Sequence, residues 1–232
     1  MTVQLTLPIH PPDANSFENF YTSHRNSVLL HCLKNFSLKV GEPYIYIWGN
    51  SGAGCTHLLH ACCHAAQQHG FSVAYLPLST LQKASSPEIL LESWAVDMVC
   101  IDELESIANN LLWQESLFHF YNRLQEQAQH LVVAAKSVPQ HLGFSLKDLV
   151  SRLTSNVLFQ VRELNDKERL VVLQQRARLR GLEFSDEVSQ FLLLRLPRHS
   201  KTIFSVLEQL DRTSLRLKCK ITVPLVKRIL NL

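Results

Sequence analysis

Residues 44–57 constrain this chain more than any other stretch: Tyr-Ile-Tyr-Ile-Trp-Gly-Asn-Ser-Gly-Ala-Gly-Cys-Thr-His. The β-prone run Tyr44 to Trp48 gives way to Gly49, Gly52 and Gly54, and an apolar, helix-compatible run follows from Leu58 to Ala66. Strand, glycine turn and helix in that order are what a phosphate-binding loop requires. Glycines let successive backbone N–H groups converge on an anion, and the helix N-terminus adds the positive end of its dipole. An ordinary strand-to-helix turn is the plainer reading of the same residues.

The spacing is that of G-x-x-x-x-G-K-[ST], with Gly49, Gly54 and Thr56 in place and Cys55 where the lysine belongs. Such a loop engages a nucleotide along Gly49, Asn50, Ser51, Gly52, Ala53, Gly54, Cys55, Thr56 and His57. The cysteine removes the cation that reaches the outer phosphates. It leaves the backbone cradle and the Thr56 hydroxyl, a ligand for Mg²⁺ when a nucleotide is bound. ADP suits what is left. Turnover of ATP by this chain is expected to suffer, since one transition-state contact of this kind is worth ~10²–10³ in rate.

A second stretch, Asp97-Met-Val-Cys-Ile-Asp-Glu103, reads as a buried parallel strand ending in two acids. Ligands bind at the C-terminal edge of open α/β sheets. There Asp102 would orient Mg²⁺ and Glu103 could polarise an attacking water, as a candidate catalytic group. It is the pairing with a glycine loop about 50 residues upstream that gives the two acids meaning.

With 46% hydrophobic and 19% charged residues the 232-residue chain can bury a core. No apolar run approaches the ~18 residues needed to cross a membrane. No export signal is visible, and six cysteines without a C-x-x-C pair read as reduced core thiols, so a cytoplasmic protein is expected. Eleven scattered histidines show no metal-ligand spacing. The charge is uneven: residues 1–150 carry 7 Lys/Arg against 12 Asp/Glu, whereas residues 151–232 carry 16 against 8. The shift marks a boundary near 160 and a basic C-terminal module.

Taken in order, the chain divides into three parts. Residues 1–13, with Pro8, Pro11 and Pro12, form an extended tail. Within it Gln4, Leu5, Leu7, Pro8 and Ile9 place a hydrogen-bonding side chain ahead of apolar anchors that an extended peptide can dock in pockets. Residues 14–162 form an α/β core: an amphipathic segment over 26–38, strands at 44–48, 71–76, 97–103, 131–135 and 157–161, and helices at 56–69, from Ser86-Pro87 to Trp94, and at 113–129. Residues 163–232 form a helical lid, with helices at 166–180, 185–196, 200–217 and 222–232. Strands alternating with helices predict a parallel five-stranded sheet covered on both faces, followed by a small all-helical domain.

A core and lid of this kind resembles the AAA+ ATPases, and the details are similar to the DnaA family of bacterial replication initiators. Ser16-Phe17-Glu18-Asn19-Phe20, the loop Gly49–Thr56, Val99–Glu103 and Ser151-Arg152-Leu153 carry the likeness. The tail at 4–9, the segment Leu170–Gly181 and the ending Ile221–Leu230 are similar to the branch whose members inactivate DnaA. That resemblance implies a regulator. Its tail would bind the DNA polymerase sliding clamp (the β subunit), docking Leu7 and Ile9. Its partner would be DnaA itself, and Arg152 would be an arginine finger acting in trans on DnaA-bound ATP. Lys201 matches the lid position that usually carries a nucleotide-sensing arginine, and Lys136 follows the fourth strand, where a small polar or acidic sensor is usual. The likeness stops where DnaA continues into a helix-turn-helix domain, so no sequence-specific DNA binding is expected; a homodimer is compatible with the sequence. The alternative is a DnaA-like initiator or loader that works by its own ATP hydrolysis.

Overall fold

A computed structural model describes residues 15–92, 95–179, 181–182, 184–195, 206, 209–210, 213 and 221–230. The tail peptide at 4–9 and Lys201 lie outside the described residues, as does most of the helix expected over 200–217.

Five strands form one parallel sheet: β1 (Tyr44–Trp48), β2 (Val73–Pro77), β3 (Met98–Asp102), β4 (His130–Ala135) and β5 (Val157–Gln160), in the order β2-β3-β4-β1-β5. Every residue of β3 and β4 is buried, which is why both read as apolar runs without alternation. Their side chains still alternate between two cores. Ile45, Ile47, Met98, Cys100, Val132 and Ala134 face α1 (Ser27–Ser37) and α2 (Cys55–Gln68). Tyr46, Val99, Ile101, Leu131 and Val133 face α4 (Leu111–Glu126) and α5 (Lys147–Thr154). In α1 the stripe Leu29, Leu33 and Phe36 recurs at helical spacing and is buried. Burying one such leucine contributes roughly 1.5–3 kcal/mol.

Two local expectations are corrected. Ser86-Pro87 starts no α-helix towards Trp94: Pro87–Leu91 is a 3₁₀ turn. The Arg123 guanidinium takes the carbonyls at its end, donating to Leu90 O, Leu91 O and, just past it, Glu92 O at 2.5–2.8 Å. A seven-residue helix, α3 (Leu78–Ala84), follows directly on β2 where no helix was expected.

The lid contributes α6 (Asp166–Leu179), α7 (Asp186–Arg195) and α8 (Val223–Leu230), around a separate core that includes Leu173, Ala177, Val188, Leu192 and Val226. Asn165 and Glu168 close a reciprocal capping box at the start of α6: Glu168 N donates to Asn165 Oδ1 at 2.9 Å, and Asn165 N to Glu168 Oε2 at 2.8 Å. Glu168 also accepts from Ser23 Oγ and from Arg25, at 2.7 and 2.8 Å. Buried Asn26 pairs both ways with the backbone of Arg162. These contacts tie the start of the lid to the segment that precedes α1.

Candidate nucleotide-binding site

The glycine loop leaves the sheet from β1, between β4 and the edge strand β5. Gly49 N still donates to Ala135 O at 3.1 Å, and Ala53 N closes the turn onto Asn50 O at 2.9 Å. Gly49 is required by close approach: a Cβ there would stand 2.9 Å from Val161 O. Gly54 has φ of +107°, and a Cβ there would meet the Phe20 ring at 2.8 Å. With Gly52 also at positive φ, the backbone curls before α2 as a phosphate cradle requires. Ser51, Gly52 and Thr56 are exposed at its rim, so an anion and its metal can reach them. These features fit a phosphate-binding loop.

Two residues of the loop also bond to other parts of the chain. His57 Nε2 donates to Ser16 O at 2.9 Å, and its ring meets Phe20 edge-on at 5.3 Å. Asn50 Nδ2 donates to Glu163 Oε1 at 2.7 Å, on the connection into the lid. His57 and Asn50 therefore anchor the loop to the N-terminal segment and to the lid connection.

The two acids differ sharply in surroundings. Asp102 is buried at the end of β3, where Tyr75 Oη donates to Oδ2 at 2.9 Å and Glu103 N to Oδ1 at 2.8 Å. Tyr75 also stacks on His60, ring centres 4.4 Å apart, and burial plus the Asp102 charge holds its phenol protonated, well above the usual range. Each carboxylate oxygen keeps a further lone pair, so Asp102 can still serve an Mg²⁺ shared with phosphates. Glu103 sits in the left-handed region, φ +57°, and accepts a hydrogen bond from Ser79 Oγ on α3.

Cys55 brings no charge. Burial, with the negative charges of Asp102 and Glu105, pushes its thiol up to about 12. Glu105 pairs with Lys136, Nζ to Oε1 at 3.1 Å, and accepts from the Lys136 backbone N–H at 3.3 Å. The structure thus gathers the loop, Asp102, Glu103 and Lys136 at one end of the sheet. Arg152 stands apart on the last turn of α5, exposed; among the described residues no carboxylate pairs with its guanidinium.

Sequence reasoning missed Tyr75, Ser79 and Glu105. Tyr75 and Ser79 carry no motif; Glu105 could have been flagged as a third acid beside the pair. Among the described residues no group of three or more His, Cys, Asp or Glu side chains is arranged to hold a metal unaided, and no helix is long and apolar enough to cross a membrane.

A glycine loop after β1, an acid ending β3 two places along the sheet and a helical lid after the last strand define the AAA+ class of P-loop proteins. The chain belongs within that class to the DnaA family: the model of the bacterial DnaA ATPase domain matches residues 12–160, and residues 166–230 match the lid domain of Hda. Among solved structures it is similar to AMPPCP-bound DnaA from Aquifex aeolicus, with 25% identity over 88% of this chain and 67% of that one, at a TM-score of 0.71. Domain III of the Thermotoga maritima DnaA shares the fold at a TM-score of 0.81, with 21% identity over 97% of this chain and 98% of that one. A Thermotoga maritima RuvB mutant shares it more distantly, at 17% identity and a TM-score of 0.66, over 94% of this chain and 71% of that one.

Proposed function

We propose that this chain is a regulator of replication initiation: it holds ADP in the loop 49–56, binds the sliding clamp through its tail, and promotes hydrolysis of ATP carried by DnaA. The observation that carries the reading is the division of the site. The glycines of a phosphate loop are in place, while position 55 offers a neutral thiol where hydrolysis calls for a cation. A chain so built holds a nucleotide as a structural ligand and turns it over poorly. Backbone N–H groups of the loop would grip the phosphates, Thr56 and Asp102 would share a Mg²⁺, and Arg152, exposed and unpaired with any described carboxylate, would act on a neighbouring molecule's nucleotide. Lys201, in place of the nucleotide-sensing arginine usual at that position, would keep positive charge without the bidentate fork of arginine. The Hda-type lid favours DnaA as the partner.

The alternative, an ATPase acting by its own turnover, draws on Asp102 and Glu103 alone. One experiment separates the two. Phosphate release is measured with this chain alone, with ATP-loaded DnaA, and with DnaA plus DNA-loaded clamp. The proposal expects release only where DnaA is present, strengthened by the clamp, and loss of the clamp effect when Gln4 and Leu7 are changed to alanine. Brisk release by the chain alone would make it an enzyme.

A further inference from the structure

We infer that the groove between α7 and α8 of the lid docks an acidic segment of another protein, whose apolar side chain fills a pocket at one end while its carboxylates meet Arg195 and Lys227 at the other. The groove shares no residue with the phosphate loop, so the inference stands apart from the reading above.

Helical spacing lays the groove out. Glu187, Val188, Phe191, Leu194 and Arg195 recur at intervals of three and four along α7 and so share one face. On α8, Val223 and Lys227 are one turn apart. A cavity of about 480 Å³ separates the first turns of the two helices, with Phe184 and Val188 on one wall and Ile221, Val223 and Pro224 on the other. One turn further on, Lys227 Nζ stands 5.6 Å from the centre of the Phe191 ring. The two helices therefore keep facing each other from Val188 to Arg195, a length of about 10 Å. The cavity has the size of pockets that take ligands, roughly 300–1,000 Å³, and its five named wall residues suit an aliphatic or aromatic side chain.

The far end carries the charge. Arg195 Cζ lies 5.9 Å from the centre of the same Phe191 ring, so one aromatic ring gathers two cations. Both are exposed, and among the described residues no carboxylate pairs with either. Like charges held this way repel each other, and an anion between them removes the repulsion. Beside them Leu194 is 85% exposed, more than any other large apolar side chain described. A single exposed leucine is ordinary. Here it widens an apolar groove next to unpaired cations. That combination suits a protein segment better than a nucleic acid, because a phosphate backbone gains nothing from the leucine and would meet Glu187 at the rim of the pocket. An amphipathic segment laid in a groove supplies both halves, its apolar anchor and its acids set about 10 Å apart.

The test is fluorescence anisotropy of the full chain with four labelled probes. One is a helix-forming peptide bearing leucine, phenylalanine and glutamate on one face. The second has lysine for each glutamate, the third alanine for each leucine and phenylalanine, and the fourth is a short DNA duplex. The acidic peptide should bind saturably, with Kd on the order of 10 μM, and more weakly as salt is raised. Either change to the peptide should weaken binding about tenfold or more, and so should Arg195→Glu combined with Lys227→Glu in the chain. The melting temperature of that variant should stay within about 4 °C of native, which separates a lost contact from a lost fold. Absence of saturable binding by the acidic peptide would overturn the inference. So would native affinity in the doubly substituted chain, or equal binding of the lysine or alanine peptide. Binding of the duplex in place of the acidic peptide, abolished by the same two substitutions, would make this face a nucleic-acid surface and overturn it as well.

Discussion

Cys55 changes the charge of the phosphate loop and leaves its shape alone. The thiol, pushed up to about 12 by burial and by Asp102 and Glu105, is neutral throughout the physiological range, whereas a lysine there would carry a fixed charge. Cys55→Lys in the otherwise native chain is therefore expected to strengthen ATP binding by about 1–3 kcal/mol, and ADP binding by less. Titration with both nucleotides checks it; an equal gain for the two would mean that position 55 reaches only the inner phosphates. Gly49, Gly52, Gly54 and Cys55 were legible in the sequence because the loop is contiguous and its spacing is the chemistry. Asp102 was legible because it ends an apolar strand. Tyr75 and Ser79 were not, for a physical reason. They reach the acids through the pairing of β2 with β3, where Pro77 lies opposite Asp102, and through the helix packed after it. That register depends on long-range pairing which no local pattern states.

At the scale of elements, buried Gln114 joins two loops across the start of α4. Its Nε2 donates to Ile107 O and Ala108 O at 3.2 and 2.7 Å, and its Oε1 accepts from Ser145 N and Leu146 N at 2.9 and 3.1 Å. Those last two residues lead into α5, which carries Arg152. Gln114→Leu keeps the volume and strands four backbone groups, so a loss of about 2–4 kcal/mol in urea unfolding is expected; a loss below ~1 kcal/mol would mean that water replaces the amide. Glu168 gives an element-level pH dependence. Hydrogen bonds from the Asn165 backbone, then from Ser23 and Arg25, hold its carboxyl below the usual 4.5. The stabilisation is then present above that value and lost as pH falls through the lower, folded one. Amide exchange in α6 should accelerate as pH drops below about 4.5 relative to that in α2, and Glu168→Gln should flatten the difference. The longer helices were legible from their periodicity and caps. Helix α3 was not, since Leu-Ser-Thr-Leu-Gln-Lys-Ala spans too few turns to show a stripe. The turn at 87–91 was misread because Arg123, more than thirty residues away, takes its carbonyls.

On the scale of the whole molecule, the loop, the N-terminal segment and the lid meet at residues 162–168. Asn50 bonds Glu163, Asn26 holds the Arg162 backbone, and Glu168 collects Ser23 and Arg25. A ligand in the loop would therefore bear on how the lid is held, through side chains already in place. Arg152 takes no part in that junction. It projects from the last turn of α5 into solvent, with Ser155 Oγ bonding only its carbonyl at 2.7 Å. A guanidinium so placed breaks no ion pair with a described carboxylate when it meets another molecule's phosphates, where it can stabilise the charge that develops during hydrolysis. Arg152→Ala should thus leave the melting temperature, nucleotide binding and clamp binding of this chain unchanged. Its stimulation of hydrolysis on ATP-loaded DnaA should fall on the order of 10³-fold. Arg152→Lys should recover little, because lysine lacks the planar fork that grips two phosphate oxygens at once. The assay is phosphate release from DnaA in the presence of loaded clamp, with each variant first shown to bind the clamp normally. Stimulation equal to that of the native chain would assign Arg152 to the surface of α5 alone and move the search for the trans-acting cation to the basic lid.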